Sequence, residues 1–124
     1  MKEWKPLRGH GVIEQMYTRG RRLDAELVRC IYLFVPEASP SAQVAFTAPS
    51  HVFNAVRRNR LKRLMREAFA REWHALQEDL EHASVSASLL FIFKAKKGSQ
   101  GIRPTLQLVH KSVASLCTTL RTQV

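Results

Sequence analysis

Asn54-Ala55-Val56-Arg57-Arg58-Asn59-Arg60-Leu61-Lys62-Arg63-Leu64-Met65-Arg66-Glu67-Ala68-Phe69 sets the plan of the whole chain. Six basic side chains lie between Arg57 and Arg66 with no acid before Glu67, yet Leu61, Leu64, Met65, Ala68 and Phe69 recur at helical spacing. At about 100° per residue those five form one stripe, and Arg58, Lys62, Arg66, Asn59 and Arg63 occupy the stripe beside it. A solvated helix face normally interleaves Glu with Lys or Arg at i, i+4, and here only Glu67, four residues after Arg63, is so placed. Such a helix buries one side and offers the other to something negative.

Working outward, Leu27-Val28-Arg29-Cys30-Ile31-Tyr32-Leu33-Phe34-Val35 is rich in branched and aromatic residues and stops at Pro36, which predicts a strand. Turn chemistry over residues 37–41 leads to Ala42-Gln43-Val44-Ala45-Phe46-Thr47-Ala48, closed by Pro49. The two strands read as an antiparallel hairpin. Further upstream, Val12, Ile13, Met16 and Tyr17 predict a short amphipathic helix over residues 12–19 with Gly20 as its C-terminal cap, and Arg21 and Arg22 follow it. Residues 1–11 read as a basic arm.

The long helix, capped by Asn54 or Ser50, is expected to run to about Leu80, where residues 84–88 interrupt it. Leu89-Leu90-Phe91-Ile92-Phe93 predicts a third strand, followed by the basic exit Lys94-Ala95-Lys96-Lys97-Gly98 and the flexible Ser99-Gln100-Gly101. Pro104 suits the first turn of a last helix whose inner face carries Leu106, Val109, Val113, Leu116, Cys117 and Leu120. The order helix, strand, strand, helix, strand, helix predicts an α+β sandwich, one sheet with helices packed on it, formed by a single domain over residues 1–124. Its second strand, long helix and third strand would make a βαβ unit, for which the ordinary hand is right.

Twenty Lys and Arg against ten Asp and Glu give a formal charge of +10, a self-repulsion that a polyanionic partner relieves. Nucleic acid fits better than a membrane: the apolar run Ile31 to Val35 is far too short to cross a bilayer, and neither terminus carries a basic amphipathic helix. Met1-Lys2-Glu3-Trp4-Lys5-Pro6 lacks the apolar core of a signal peptide, so a cytoplasmic protein is expected. Cys30 and Cys117 fall at apolar positions and read as buried free thiols. The five histidines form no zinc set with them, and no nucleophile motif, phosphate loop or carboxylate cluster is present. With Glu67 and Glu72 the only acids near the basic surface, the carboxylate pair of a two-metal nuclease is missing, which argues against a protein-only nuclease. An uninterrupted helix flanked by strands is no helix-turn-helix, which favours RNA over DNA. Tyr17, Tyr32, Phe34 and Phe46 are aromatics able to stack on single-stranded bases, the two phenols being the better tolerated at a surface.

The segment from Ala55 to Phe69 resembles the signature of the bacterial ribonuclease P protein component, an Arg-Asn-Arg core in an Ala-Val-x-Arg-Asn-Arg-x-Lys-Arg-x-x-Arg-Glu-x-Phe pattern. The remainder agrees in order and length over about residues 7–120. The resemblance implies a ribosomal protein S5 domain 2-like fold in which the long basic helix belongs to a left-handed βαβ crossover. It implies an accessory subunit of the endoribonuclease that matures the 5′ end of tRNA, cytoplasmic, with no catalytic residue and no cofactor or metal of its own. The RNA subunit would perform the hydrolysis with magnesium. Expected partners are the RNase P RNA and precursor tRNA, with no membrane and no obligate protein partner. Within the run Arg57 to Arg66, the resemblance implies that Arg58, Asn59, Arg60, Lys62, Arg63 and Arg66 meet the catalytic RNA, and Arg57 extends that face. Counting back from Gly20, Ile13 and Tyr17 match helix positions that hold the single-stranded leader, and Tyr32 matches a strand aromatic. Ile13 replaces a usual aromatic, and Ser50-His51, Phe53 and Asn54 stand where Lys-Lys, Gly and Lys are common. A general RNA-binding protein of the ribosome or its assembly is the alternative.

Overall fold

The computed structural model describes residues 3–94 and 103–124. Residues 95–98 of the basic exit and the 99–101 segment lie outside the described residues, as do the first two residues of the arm. In chain order come β1 (Lys5–Pro6), α1 (His10–Arg19), β2 (Arg21–Asp24), β3 (Val28–Pro36), β4 (Ala42–Thr47), α2 (Ala55–Ala83), β5 (Val85–Phe93) and α3 (Leu106–Gln123). The strands form one five-stranded sheet in the order β1-β4-β5-β3-β2.

The expected hairpin of β3 and β4 does not form. Instead β5 lies between them, antiparallel to β3 and parallel to β4. The reason is burial: Ala87, Leu89, Leu90, Phe91 and Phe93 are all buried, so β5 needs cover on both faces and takes the central place. Residues 37–41 arch over its start, held by Glu37 N–H donating to the Ser84 carbonyl (2.9 Å), Ser41 N–H to Ser86 Oγ (2.8 Å) and Ala87 N–H to the Ser41 carbonyl (3.0 Å). Those bonds draw Ser86 into a strand that starts at Val85, where an interruption over residues 84–88 was expected. The parallel β4–α2–β5 unit is present as expected.

α2 and α3 cover one face of the sheet and α1 the other. On the first face Phe69, Met65, Leu76 and Leu80 of α2 and Val109, Val113 and Leu120 of α3 meet Val28, Cys30 and Tyr32 of β3 and Leu89 and Phe91 of β5. A smaller cluster under α1 joins Leu7, Met16, Ile31 and Leu90, with Ile13, Leu33, Ala45 and Ile92 at its margin. Cys30 and Cys117 are free thiols within the larger core, as the sequence suggested.

The N-terminal stretch is more than an arm. Leu7 is buried and its N–H donates to the Val44 carbonyl (3.0 Å), while Trp4 sets its ring edge-on to Phe69 (5.0 Å) and Trp73 (5.6 Å). Aromatic area clasps these few residues to α2 where no sequence periodicity could reveal it. Arg21 and Arg22 likewise belong to an edge strand, paired with Tyr32 and Ile31. Gly20 ends α1 but not through a left-handed cap, for its backbone is extended (φ −69°, ψ 148°). Glycine stands there because a Cβ would collide with the Ile31 side chain and the Met16 carbonyl. Thr105 caps α3, with Pro104 just before it rather than inside the first turn.

Candidate nucleic-acid interface

α2 spans 29 residues, about 43 Å at 1.5 Å per residue. Asn54 starts it, its side chain accepting from Arg57 N–H at 2.9 Å. Leu61, Leu64, Met65, Ala68 and Phe69 are buried as their stripe predicted, which fixes the rotation of the helix and hence where its charges point. The first turn holds no acid, and the cations gather at the N-terminal end, where the helix dipole is already positive. That placement disfavours the isolated fold and favours a bound anion.

The basic residues divide into two kinds. Arg58 donates from Nη1 to the Phe53 carbonyl at 2.8 Å, Arg57 lies over the Phe53 ring (5.5 Å) and Arg66 over the Phe46 ring (5.6 Å). Aromatic and carbonyl contacts therefore hold these guanidinium groups in place before any partner arrives. By contrast Asn59, Arg60 and Arg63 are exposed, Lys62 is half-buried, and among the described residues none of the three cations has a carboxylate partner. Carboxylates elsewhere are engaged: Asp24 with Arg29 and Lys94, Glu72 with His110, and Asp79 with Arg121.

At the end of β4 the basic face opens into a cleft of about 510 Å³ whose walls include Tyr17 of α1, Thr47, Ser50, His51, Ile92, Arg58 and Lys62. Here α1 and α2, on opposite sides of the sheet, approach one another around the strand end. Tyr17 is 46% exposed, placing a phenol beside two cations. Ile13 lies half-buried at the margin of the α1 cluster. Tyr32 is not brought together with them. Strand alternation turns it to the α2/α3 face, where only 5% of it is exposed. Thr47 is a member of the cleft that the sequence did not single out, because a turn of mixed polar residues carries no periodic signal, and Ser50 and His51, which replace the usual Lys-Lys, line it as well. Among the described residues no three His, Cys, Asp or Glu side chains come together to hold a metal ion.

The sequence model of the family described as "Ribonuclease P" matches residues 1–121. The chain belongs to the ribonuclease P protein family. Membership implies a role in an endoribonuclease complex, with the RNase P RNA as partner. The "Ribonuclease P protein component" of Chlorobium phaeobacteroides is 26% identical over 133 residues, covering 98% of this chain and 88% of that protein. Among solved structures, the RNase P protein from Thermotoga maritima superposes with a TM-score of 0.71 at 19% identity, over 93% of this chain and 96% of that one. The Staphylococcus aureus RNase P protein gives 0.61 at 11% identity, over 95% and 96%. At these identities the likeness establishes the fold, a mixed α+β sandwich around one sheet. No helix among the described residues is long and apolar enough to cross a membrane.

Proposed function

We propose that this family member binds the catalytic RNA of ribonuclease P through α2 and cradles the single-stranded 5′ leader of precursor tRNA in the cleft beside Tyr17. It thereby assists endonucleolytic 5′ maturation of tRNA in the cytoplasm. The observation that carries the reading is the face of Arg60, Lys62 and Arg63, none of which has a carboxylate partner among the described residues, backed by Arg58 at the positive end of the helix and by Arg66 held over the Phe46 ring. Guanidinium and ammonium groups replace the counterions of RNA phosphates, so binding gains the entropy of released ions. Arg adds paired donors that match phosphate geometry. Asn59, exposed among them, both donates and accepts toward sugar or base edges.

In the cleft Tyr17 supplies a ring face for an unstacked base, with Arg58 and Lys62 placed for the phosphates that flank it. Ile13 contributes apolar surface on α1, whereas Tyr32, buried on the other face of the sheet, stands outside this cleft. The protein supplies no catalytic group. Hydrolysis belongs to the RNA subunit with its magnesium, and the protein raises precursor affinity and lowers the magnesium requirement by neutralising phosphates.

Reconstitution with the RNase P RNA of the same organism tests this. Adding the protein should raise precursor tRNA cleavage at low magnesium, and more so for precursors that carry a leader. No gain would refute the reading, and retained binding to ribosomal RNA alongside that failure would point to the ribosomal alternative.

A further inference from the structure

Tyr32, turned away from the cleft, lies in a second recess of about 310 Å³ that shares no lining residue with the first. Arg19, Arg21, Tyr32, Leu33, Phe34 and Gln123 form its walls. Arg19 closes α1 and Arg21 opens β2, and between them Gly20 is locked by close packing on Ile31 and Met16, so the two guanidinium stems spring from a fixed corner. Arg21 pairs with Tyr32 across the strands, and its neighbour Leu23 packs on the larger core, which sets Arg21 on the same sheet face as Tyr32 and Phe34. The two rings lie 5.1 Å apart, with Phe34 half-buried at the recess.

No carboxylate side chain lines this recess, and among the described residues neither Arg19 nor Arg21 has one as partner. The neighbouring arginines are already engaged, Arg22 by the Tyr17 carbonyl (3.2 Å) and Arg29 by Asp24 (2.9 Å). Two uncompensated guanidinium groups beside an aromatic edge match a nucleotide, which brings a phosphate and a flat base together. An acidic peptide would use the charges and leave the ring without a partner.

We propose that Arg19, Arg21 and Phe34 form a second seat for single-stranded RNA, taking a phosphate between the arginines and a base against Phe34. Tyr17 and Arg19 are two positions apart on α1, about 200° around the helix, so the cleft and the seat flank α1 on opposite sides. A strand too long for the cleft can pass α1 and engage both. This deepens the leader reading and rests on it for the identity of the strand, whereas the seat itself is testable without the enzyme.

The test uses the full chain, with a fluorescein-labelled single-stranded oligoadenylate followed by anisotropy across a salt series and the fold of each variant checked by circular dichroism. Arg19→Ala with Arg21→Ala should weaken binding roughly tenfold at low salt and make the log–log salt slope shallower by about 1.4, about 0.7 for each lost contact to a single strand. Phe34→Leu, which keeps an apolar side chain at this half-buried position and removes the ring, should weaken binding roughly fivefold with the slope unchanged. Affinity for the RNase P RNA should stay at the wild-type level in both variants. Unchanged oligoadenylate affinity in the arginine pair, or no binding by the wild type, would overturn the seat, and an unaffected Phe34→Leu variant would overturn the stacked base. These outcomes are read without cleavage, so a failure of reconstitution leaves them standing and their failure leaves reconstitution standing.

Discussion

Replacing Arg60 and Arg63 together by Ala separates RNA affinity from folding. Both side chains are exposed, neither has a carboxylate partner among the described residues, and both sit inside α2, where Ala is at least as good a helix former as Arg. Stability should therefore change by less than about 0.5 kcal/mol. If the six cations from Arg57 to Arg66 each displace one counterion from duplex RNA, the log–log salt slope is near −5.4, about 0.9 for each, and removing two leaves about −3.6. Between about 50 and about 200 mM salt the unaltered protein should lose about 1,800-fold in affinity and the variant about 150-fold. Filter binding to the RNase P RNA across that range reads the slope directly, and an unchanged slope would show that these charges only solvate the helix. Arg58→Ala supplies the contrast. It removes one charge and also the 2.8 Å bond to the Phe53 carbonyl, so about 1 kcal/mol of stability should be lost along with a slope change near 0.9.

Three further outcomes follow from the fold. Gly20→Ala forces a methyl group against Ile31 and the Met16 carbonyl and should cost about 1–3 kcal/mol by denaturant titration, more than a surface Gly→Ala exchange, which is usually neutral or favourable. The hydrogen bond from Arg29 holds the Asp24 carboxyl below its ordinary value near 3.8, so the group stabilises the fold above that value and its contribution disappears as pH falls through the depressed one. In melting curves taken down the acid limb, Asp24→Asn should thus be less stable than wild type at neutral pH, with the gap closing in acid. Burial pushes the Cys117 thiol up to about 12 and raises Cys30 as well, so the native protein should resist a thiol-alkylating reagent at neutral pH and take up label at both cysteines only when unfolded. Rapid labelling of the folded protein, seen by mass spectrometry, would contradict that packing.

The sequence by itself determined α2, apart from the choice between Asn54 and Ser50 as its cap: which stripe it buries and which basic side chains stand beside that stripe, because a 3.6-residue period is local and repeats over many turns. It also determined the identity of the long strands and of α3. Pairing was different. Nothing local in residues 27–48 says that β5 must separate β3 from β4; that follows from the need of the most apolar strand for cover on both faces, a property of the assembled layers. Strand alternation likewise gave Tyr32 a face without saying which helix lies over it, so its separation from Tyr17 emerged only when α1 packed on the Ile31 side. The contacts of Trp4 and Leu7 and the meeting of Tyr17 with Arg58 and Lys62 in one cleft were invisible for the same reason: their partners are distant in sequence, and contacts formed by closing long loops leave no periodic trace. The chain thus spells out its long basic helix residue by residue, while the grooves on either side of α1 exist only once the sheet has chosen its order.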